Sequence, residues 1–530
     1  DATWVFHNSV FDLGHLRRWA TVEERKNMRD ILLIERIMWS NYYDDFTLAA
    51  LVRRYLKCYM TKVIRKEFHG LEGRMSNEQI EYAALDVVGT WKVDVEQQKL
   101  VTKRDIQIWN GMYNPHVWTT LELGGFKLDV AGWKALAEEN QKIVDEISAE
   151  LGKLYGHKET KLVGRGKNRH EEEYFVPFNP NSPAQVKEIL RREYGLELES
   201  TDDDHLTPYA NSIPFAKRVL DFRYAGKQAS TYGMSFLDNV EQDGRIYTSL
   251  NIGLAESGRD SSSSPNLQNI PKEKRRRKLF IAGDGRYLCL YDYSGQEAGT
   301  WAFITGDEKF KEIINSGKKL YIEVARIAFN EEVTKGTKRY DLIKSLVLML
   351  MYGGTAWGFA RDNKDELDHY IAQNLSEKEK MQSRVKIAQE MVDKFMDGFP
   401  TSAKWIRDQQ ARNRGVATTI MGRRGYLHPY DRQWKNNALN TPNQGSGGDM
   451  IKLAMKMLRR TDFYKKYYPL GKVQLLLQVH DEIVSEVDSD IAEEWSSIMR
   501  TTMIDVAEAM TPGVRANVSG GLIHDWSQKD

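Results

Sequence analysis

Two acids lie side by side in the polar break His480-Asp481-Glu482, inside the apolar stretch LLLQVHDEIVSEV from Leu475 to Val487. An apolar run, Val473 to Val479, leads in and a second apolar segment leads out, so the stretch reads as a β-hairpin whose turn carries the acids. A carboxylate buried there without compensation costs on the order of several kcal/mol or takes up a proton. The compensator is a metal ion or a nearby base, unless Asp481 and Glu482 are solvated turn residues; the hairpin alone leaves both open. Another acid, Asp292, ends the buried strand of YLCLYDYSGQEAGTWAF, and the helix that follows bears Glu297. In RYDLIKSLVLMLMYGG, Lys344, Leu348 and Tyr352 recur every fourth residue and share one helix face, stopped by Gly353-Gly354. A lysine so placed snorkels to solvent, or binds phosphate if it points into a site.

Other stretches offer anion contacts. ESGRDSSSSPNLQNIPKEKRRRKLF holds Arg259, the amide-rich PNLQNIP, and six basic residues among the seven from Lys272 to Lys278. Amides beside arginines suit groove and phosphate contacts; the plain alternative for the basic run is a solvated loop. GKQASTYG offers Lys227, Ser230 and Thr231 as phosphate-binding donors. Near the start, WVFHNSVFDLGHL pairs a short strand with a polar turn holding Asn8 and Asp12. EYAALDVVGTWKV sets Tyr82 and Asp86 on one helix face, either half of a metal site or ordinary structure.

The chain that must position these residues has 530 of them, room for several domains of roughly 100–200 residues each. At 41% hydrophobic and 28% charged it can bury an ample core. The 76 basic and 75 acidic residues give a net charge of +1, which argues neither for nor against nucleic acid. Two cysteines, Cys58 and Cys289, suit a reducing compartment. No apolar run approaches the ~20 residues of a membrane span, and no signal-peptide pattern opens the chain. It starts at Asp1, already inside what reads as folded sequence, so an N-terminal part is expected to be missing. Residues 1–105 read as mixed α/β and 105–240 as mostly helical, with an amphipathic segment from Val130 to Leu154, a charged glycine-containing region (LVGRGKNRHEEE), and Ser182 capping a helix that Pro183 starts. Residues 310–425 are again helical, GRRGYL at 422–427 returns to strand, and LNTPNQGSGGDMIKLAMKM turns into a helix leading to the hairpin.

YDYSGQE, KSLVLMLMYGG and QVHDE resemble, in order and at comparable separations, the three signature motifs of family A DNA polymerases. GRDSSSSPNLQNIP, KQASTYG, GRRGYL and NTPNQGSGGDMIK resemble further segments of that family, so the likeness covers nearly the whole chain. It implies an α+β right-hand fold of thumb, palm and fingers behind an incomplete ribonuclease-H-like 3′–5′ exonuclease domain. The expected boundaries are 1–105 for the exonuclease-like part, 106–245 for the thumb with the start of the palm, 246–310 for palm, 311–425 for fingers, and 426–530 for palm and C-terminus.

The implied activity is template-directed addition of deoxynucleotides to a primer 3′-hydroxyl with two Mg²⁺ ions, Mn²⁺ able to substitute. Carboxylates suit such hard ions. Asp292, Asp481 and the backbone carbonyl of Tyr293 fall on the family's metal ligands, with Glu482 beside the site and not essential. Lys344 falls on the lysine that grips the triphosphate, Tyr352 on the tyrosine beside the nascent base pair, and Glu297 on the acid that excludes a ribose 2′-hydroxyl. Arg259, Gln268, Asn269, Gln444 and His480, with Asn440 nearby, fall on residues that contact the primer end and minor groove; Lys227, Ser230 and Thr231 join them as DNA contacts. Asp12, Tyr82 and Asp86 resemble the second and third exonuclease motifs; the first has no counterpart, so no proofreading is expected.

Several positions depart from the pattern. Tyr340 stands where an arginine is expected, with Arg339 one residue early as its substitute. Tyr321 replaces a histidine at the triphosphate, Leu348 an aromatic residue, and Gly299 an arginine. These departures put nucleotide affinity and turnover in question. Gly295 and the lack of a 5′-nuclease segment lean towards the enzymes of short-tailed phages rather than bacterial DNA polymerase I. The implied partners are primer–template DNA and deoxynucleoside triphosphates, for a monomer in the cytoplasm (the host's, if phage-encoded). No large thumb insertion for a processivity partner is present. Two other readings compete: a non-catalytic DNA-binding relative, and a single-subunit RNA polymerase, against which Glu297 argues.

Overall fold

The computed structural model describes residues 2–529 apart from 61–62, 69–70, 72, 164–168, 373–374, 413–414, 429 and 432. The chain opens with strand β1 (Trp4–Phe6), helix α1 (Ser9–Leu16) and strand β2 (Met28–Asp30), which pairs parallel with β1. Buried Asp30 receives backbone N–H groups from Asn8, Ser9, Leu32 and Leu33, tying the start of α1 to the next helix. Asp12 therefore lies within α1 and not in the turn expected from sequence. Helix α2 (Asn77–Gln97) starts with a Ser76–Gln79 capping box. It turns Ile80, Val87, Trp91 and Val95 towards solvent.

Helix α3 (Val130–Tyr155) matches the amphipathic segment read from sequence and packs against α4 (Pro214–Thr231) around Ile147, Phe215 and Val219. The Ser182 cap with Pro183 at the first helical position is also as expected. The charged stretch after α3 instead forms an antiparallel hairpin, His157–Val163 with His170–Val176. Its strands are largely exposed, so charged cross-strand pairs such as Lys158–Glu173 at 3.1 Å replace the apolar alternation that announces a strand.

Strand β3 (Arg286–Tyr293) is the heart of the fold, followed by α5 (Gln296–Thr305) and α6 (Lys338–Met351). A long helix, α7 (Trp434–Arg460), precedes the hairpin of β4 (Val473–Val479) and β5 (Glu482–Asp488); α8 (Ala492–Met510) and β6 (Val518–Ile523) follow. These strands make one antiparallel sheet in the order β4–β5–β3–β6. Alternate side chains leave opposite faces. Cys289, Tyr291 and Tyr293 pack on α7 and α8 through Met450, Trp495 and Met503, while Leu288 and Leu290 pack on Phe126, Phe280 and Trp526. Burial on both faces fixes the register, because a one-residue slip would exchange them.

Helix α7 begins well before the point expected from sequence and runs through Pro442 and a run of glycines. Close packing explains the composition: a Cβ at Gly448 would meet the Arg259 side chain at 3.0 Å. The basic run also differs from a solvated loop, since Arg276 and Arg277 are buried. The Arg276 guanidinium lies over the Trp133 and Tyr232 rings, and that of Arg277 lies 4.5 Å from the Trp526 centroid. Among the described residues, no helix is long and apolar enough to cross a membrane.

Candidate functional site

The sheet register brings the acids together. Asp292 lies opposite Glu482 across the β3–β5 ladder, and the two-residue turn places Asp481 next to both. His480 takes φ 57, the left-handed backbone that such a tight hairpin loop needs. The Tyr293 N–H donates to the Asp481 carbonyl at 3.1 Å. Burial, and then the Asp292 carboxylate, push the Asp481 carboxyl up to about 7. The buried Oδ1 of Asp292 has no hydrogen-bond partner, while its Oδ2 receives the Lys529 ammonium at 2.5 Å.

Two crowded carboxylates and an orphaned oxygen fit a hard divalent cation, which would offset their repulsion and complete the missing contact. Asp292 and Asp481 would hold it with the Tyr293 carbonyl. The Tyr293 phenol is unavailable, since it points into the core and donates to the Met503 carbonyl at 2.8 Å.

A second constellation surrounds Glu297, in the first turn of α5. Its Oε2 accepts from the Tyr352 hydroxyl and its Oε1 from Arg259 Nη2 at 3.0 Å, and Gln444 hydrogen-bonds the same phenol. Burial and then Glu297 raise the Tyr352 phenol above its ordinary value. Arg259 is fixed through its neighbour Asp260, whose buried carboxylate accepts from Lys452 Nζ at 2.9 Å, Gln478 Nε2 at 2.6 Å and the Gly253 N–H at 2.8 Å, and pairs with His116 Nε2 at 2.6 Å. Gln478 in turn offers its carbonyl to Gln268 Nε2 at 3.1 Å, joining that segment to the hairpin. His480 sits at the turn, where partial loss of water around its ring, followed by the Arg259 and Lys272 charges, lowers its pKa.

The family model for DNA polymerase family A matches residues 149–528, most of the chain and all of these groups except His116 and Lys529. The chain belongs to DNA polymerase family A. It is 30% identical over 434 residues to the thermostable DNA polymerase I of Thermus filiformis, covering 77% of this chain and 46% of that protein. Against DNA polymerase I of Streptococcus pneumoniae serotype 4 it is 27% identical over 444 residues, covering 78% and 46%. The chain thus spans about half the length of these curated relatives. Among solved structures, the polymerase domain of M. smegmatis Pol1, in complex with DNA primer–template and dNTP, matches with a TM-score of 0.77 at 26% identity. That match covers 99% of this chain and 86% of the other. The α+β polymerase fold is the one the motifs implied.

In this family A polymerase fold, Lys344 is exposed and Leu348 half-buried on the α6 face that ends at Tyr352. Arg339 does not join them. Its Nε and Nη2 make a two-pronged pair with Glu331, each at 2.7 Å, because a position one residue early on a helix is turned by about 100°. The side chain expected to substitute for the missing arginine is thus paired with Glu331, off the face of Lys344, Leu348 and Tyr352. Tyr340 is buried and meets half-buried Tyr321 edge to face at 5.8 Å, so the two departures from the pattern form one contact. Burial, then Tyr340 and Glu297, push the Tyr321 phenol up to about 12.

Exposed Lys227, Ser230 and Thr231 lie at the end of α4. Thr231 borders a cleft of about 350 Å³ that is also lined by Asn266 and Asn269. Asn440 and Gln444 lie on α7, with Asn440 Oδ1 buried and unpartnered.

Asp12, Tyr82 and Asp86 precede the matched span. Burial and then Asp30 raise the Asp12 carboxyl to about 6. Tyr82 and Asp86 share the α2 face as expected, with Tyr82 against Phe68. No group of three or more His, Cys, Asp or Glu suited to a metal occurs among the described residues. Sequence reading did not single out His116, Lys452, Gln478 or Lys529. The one available signal was a lysine, Lys452, set between apolar Met450-Ile451 and Leu453-Ala454-Met455.

Proposed function

We propose that the chain is a template-directed DNA polymerase that adds deoxynucleotides to a primer 3′-hydroxyl. The observation that carries this reading is the Asp292–Asp481 pair standing beside the Arg259–Glu297–Tyr352 clamp, in a fold of family A. Mg²⁺, or Mn²⁺ in its place, would activate the primer hydroxyl and neutralise the leaving pyrophosphate when bound. Asp292, Asp481 and the Tyr293 carbonyl hold the ions; Lys344 binds the triphosphate and gives its proton to the departing pyrophosphate. Glu297, pinned by Tyr352 and Arg259, fills the space a ribose 2′-hydroxyl would take. Gln268, Gln444, Asn440 and His480 contact the primer end and minor groove, where correct base pairs share acceptors and a fit check needs no sequence readout. Primer extension with deoxy- or ribonucleotides, with and without Mg²⁺, tests the reading: growth only with deoxynucleotides and metal supports it. Ribonucleotide polymers would favour the RNA polymerase reading, and DNA binding without extension the non-catalytic one.

Two variants probe sugar recognition. Glu297→Ala removes the acid that Tyr352 and Arg259 hold, and ribonucleotide incorporation relative to deoxynucleotide is expected to rise by about 10²-fold, the scale at which a pocket discriminates by size. Single-turnover competition measures it, and an unchanged ratio would place the sugar gate elsewhere. Leu348 presents no ring or hydroxyl near the incoming sugar, so Leu348→Tyr is expected to raise dideoxynucleotide use relative to deoxynucleotide. A constant ratio in the same assay would mean that position 348 does not face the sugar.

A further inference from the structure

The acid cluster already holds a cation of the protein's own. Lys529 Nζ lies 2.5 Å from Asp292 Oδ2 and also donates to Glu482 Oε2. Its stem is anchored by the preceding turn, Trp526–Gln528, which Asp525 caps through the Ser527 N–H at 3.0 Å. Trp526 is fully buried against Phe126 and Phe280, and its indole N–H donates to Glu482 Oε1 at 2.9 Å. Glu482 is thus fixed on one oxygen by the core and on the other by the lysine. Of the neighbouring cations, Arg259 pairs with Glu297, while Arg277 lies over the Trp526 ring and reaches Glu482 and Asp292 through its charge without a hydrogen bond to either.

We propose that Lys529 is a tethered counter-cation that stands in for the divalent ion at Asp292, so that ion entry is an exchange in which the ammonium leaves Asp292 and stays on Glu482. This inference rests on Asp292 and Asp481 being the ion site. It gives Glu482 a purpose without making it a ligand: it retains the lysine once Asp292 is taken. A lysine suits the part because its ammonium is a compact point charge on a flexible stem. Lys529 is a positioning residue here, acting through the charge it lends to Asp292. Its consequence is weak ion binding in the absence of substrate, since an ion entering at Asp292 must displace a cation already in place.

The test is Mn²⁺ titration of the full chain without DNA or nucleotide, with free Mn²⁺ followed by electron paramagnetic resonance. Lys529→Met, which keeps the length and removes the charge, is expected to bind Mn²⁺ about tenfold more tightly, within the usual range for coupled sites. Lys529→Arg keeps the charge and is expected to remain weak. Glu482→Gln preserves the acceptor for Trp526 but frees the lysine to stay on Asp292, and is expected to bind more weakly than the parent. This second direction also serves if Lys529→Met does not fold. Asp292→Asn reports on the ion site itself. If parent and Asp292→Asn bind Mn²⁺ alike, the site reading falls and the exchange with it. If Asp292→Asn loses binding while Lys529→Met binds no more tightly than the parent, or Glu482→Gln no more weakly, the exchange alone is overturned.

Discussion

Asp481→Ala is expected to leave primer–template binding near the parental level and to slow extension by about 10³-fold or more, a loss of several kcal/mol of transition-state stabilisation. The size follows from geometry. The register of the central sheet sets Asp292 opposite Glu482 and the turn places Asp481 beside it, where burial and then the Asp292 carboxylate push the Asp481 carboxyl up to about 7. A group held at such a cost is the one whose removal empties the site of its purpose. Folding should survive, because the turn backbone is held by the Tyr293 N–H bond to the Asp481 carbonyl, which alanine keeps. Rapid-quench extension alongside DNA-binding titration separates the effects, and near-parental extension would refute the assignment.

The second large effect is on stability. Asp260→Ala is expected to destabilise the chain by about 3–5 kcal/mol, because it leaves Lys452 charged, buried and without its carboxylate. Burial alone would push the Asp260 carboxyl up, but Lys452 and His116 more than reverse this and hold it well below the usual range. A depressed carboxylate contributes stability that is present above the unfolded pKa of about 3.9 and lost as pH falls through the folded value. The difference between parent and variant should therefore be flat from about pH 5 to 8 and shrink only in acid. Extension should fall as well, since Arg259 loses its anchored neighbour. Urea unfolding at several pH values measures the first effect; a difference under about 1 kcal/mol, the scale of an ordinary substitution, would show that the network is not under strain from Lys452.

Much of this site is legible in local signals of the sequence. The hairpin around His480 and Asp481 announces itself by apolar runs and a polar break, and Asp292 by its place at the end of a buried strand. The shared face of Lys344, Leu348 and Tyr352 needs only the helical repeat. What stays hidden depends on partners far apart in the chain. Asp260 is meaningful only beside His116, Gln478 and Lys452, and no local pattern links those positions. The glycines of α7 read as loop because what they accommodate, such as the Arg259 side chain against Gly448, comes from elsewhere. The exposed strand pair 157–163 and 170–176 escapes a sequence reading for the opposite reason: with no buried face, it has no hydrophobic period to read.

The Tyr321–Tyr340 contact carries a consequence for how a substrate arrives. In the family pattern that the motifs resemble, these positions belong to a histidine and an arginine; here two phenols meet edge to face. An edge-to-face pair is held by packing and ring quadrupoles, which added salt hardly touches, whereas charges draw a polyanion only over about a Debye length, roughly 8 Å at physiological ionic strength. Under the proposed function, a triphosphate approaching this helix would meet a weaker field than the family's pattern would set up. Its capture would then depend correspondingly more on shape and stacking than on long-range attraction, and less on the ionic strength of the surrounding solution.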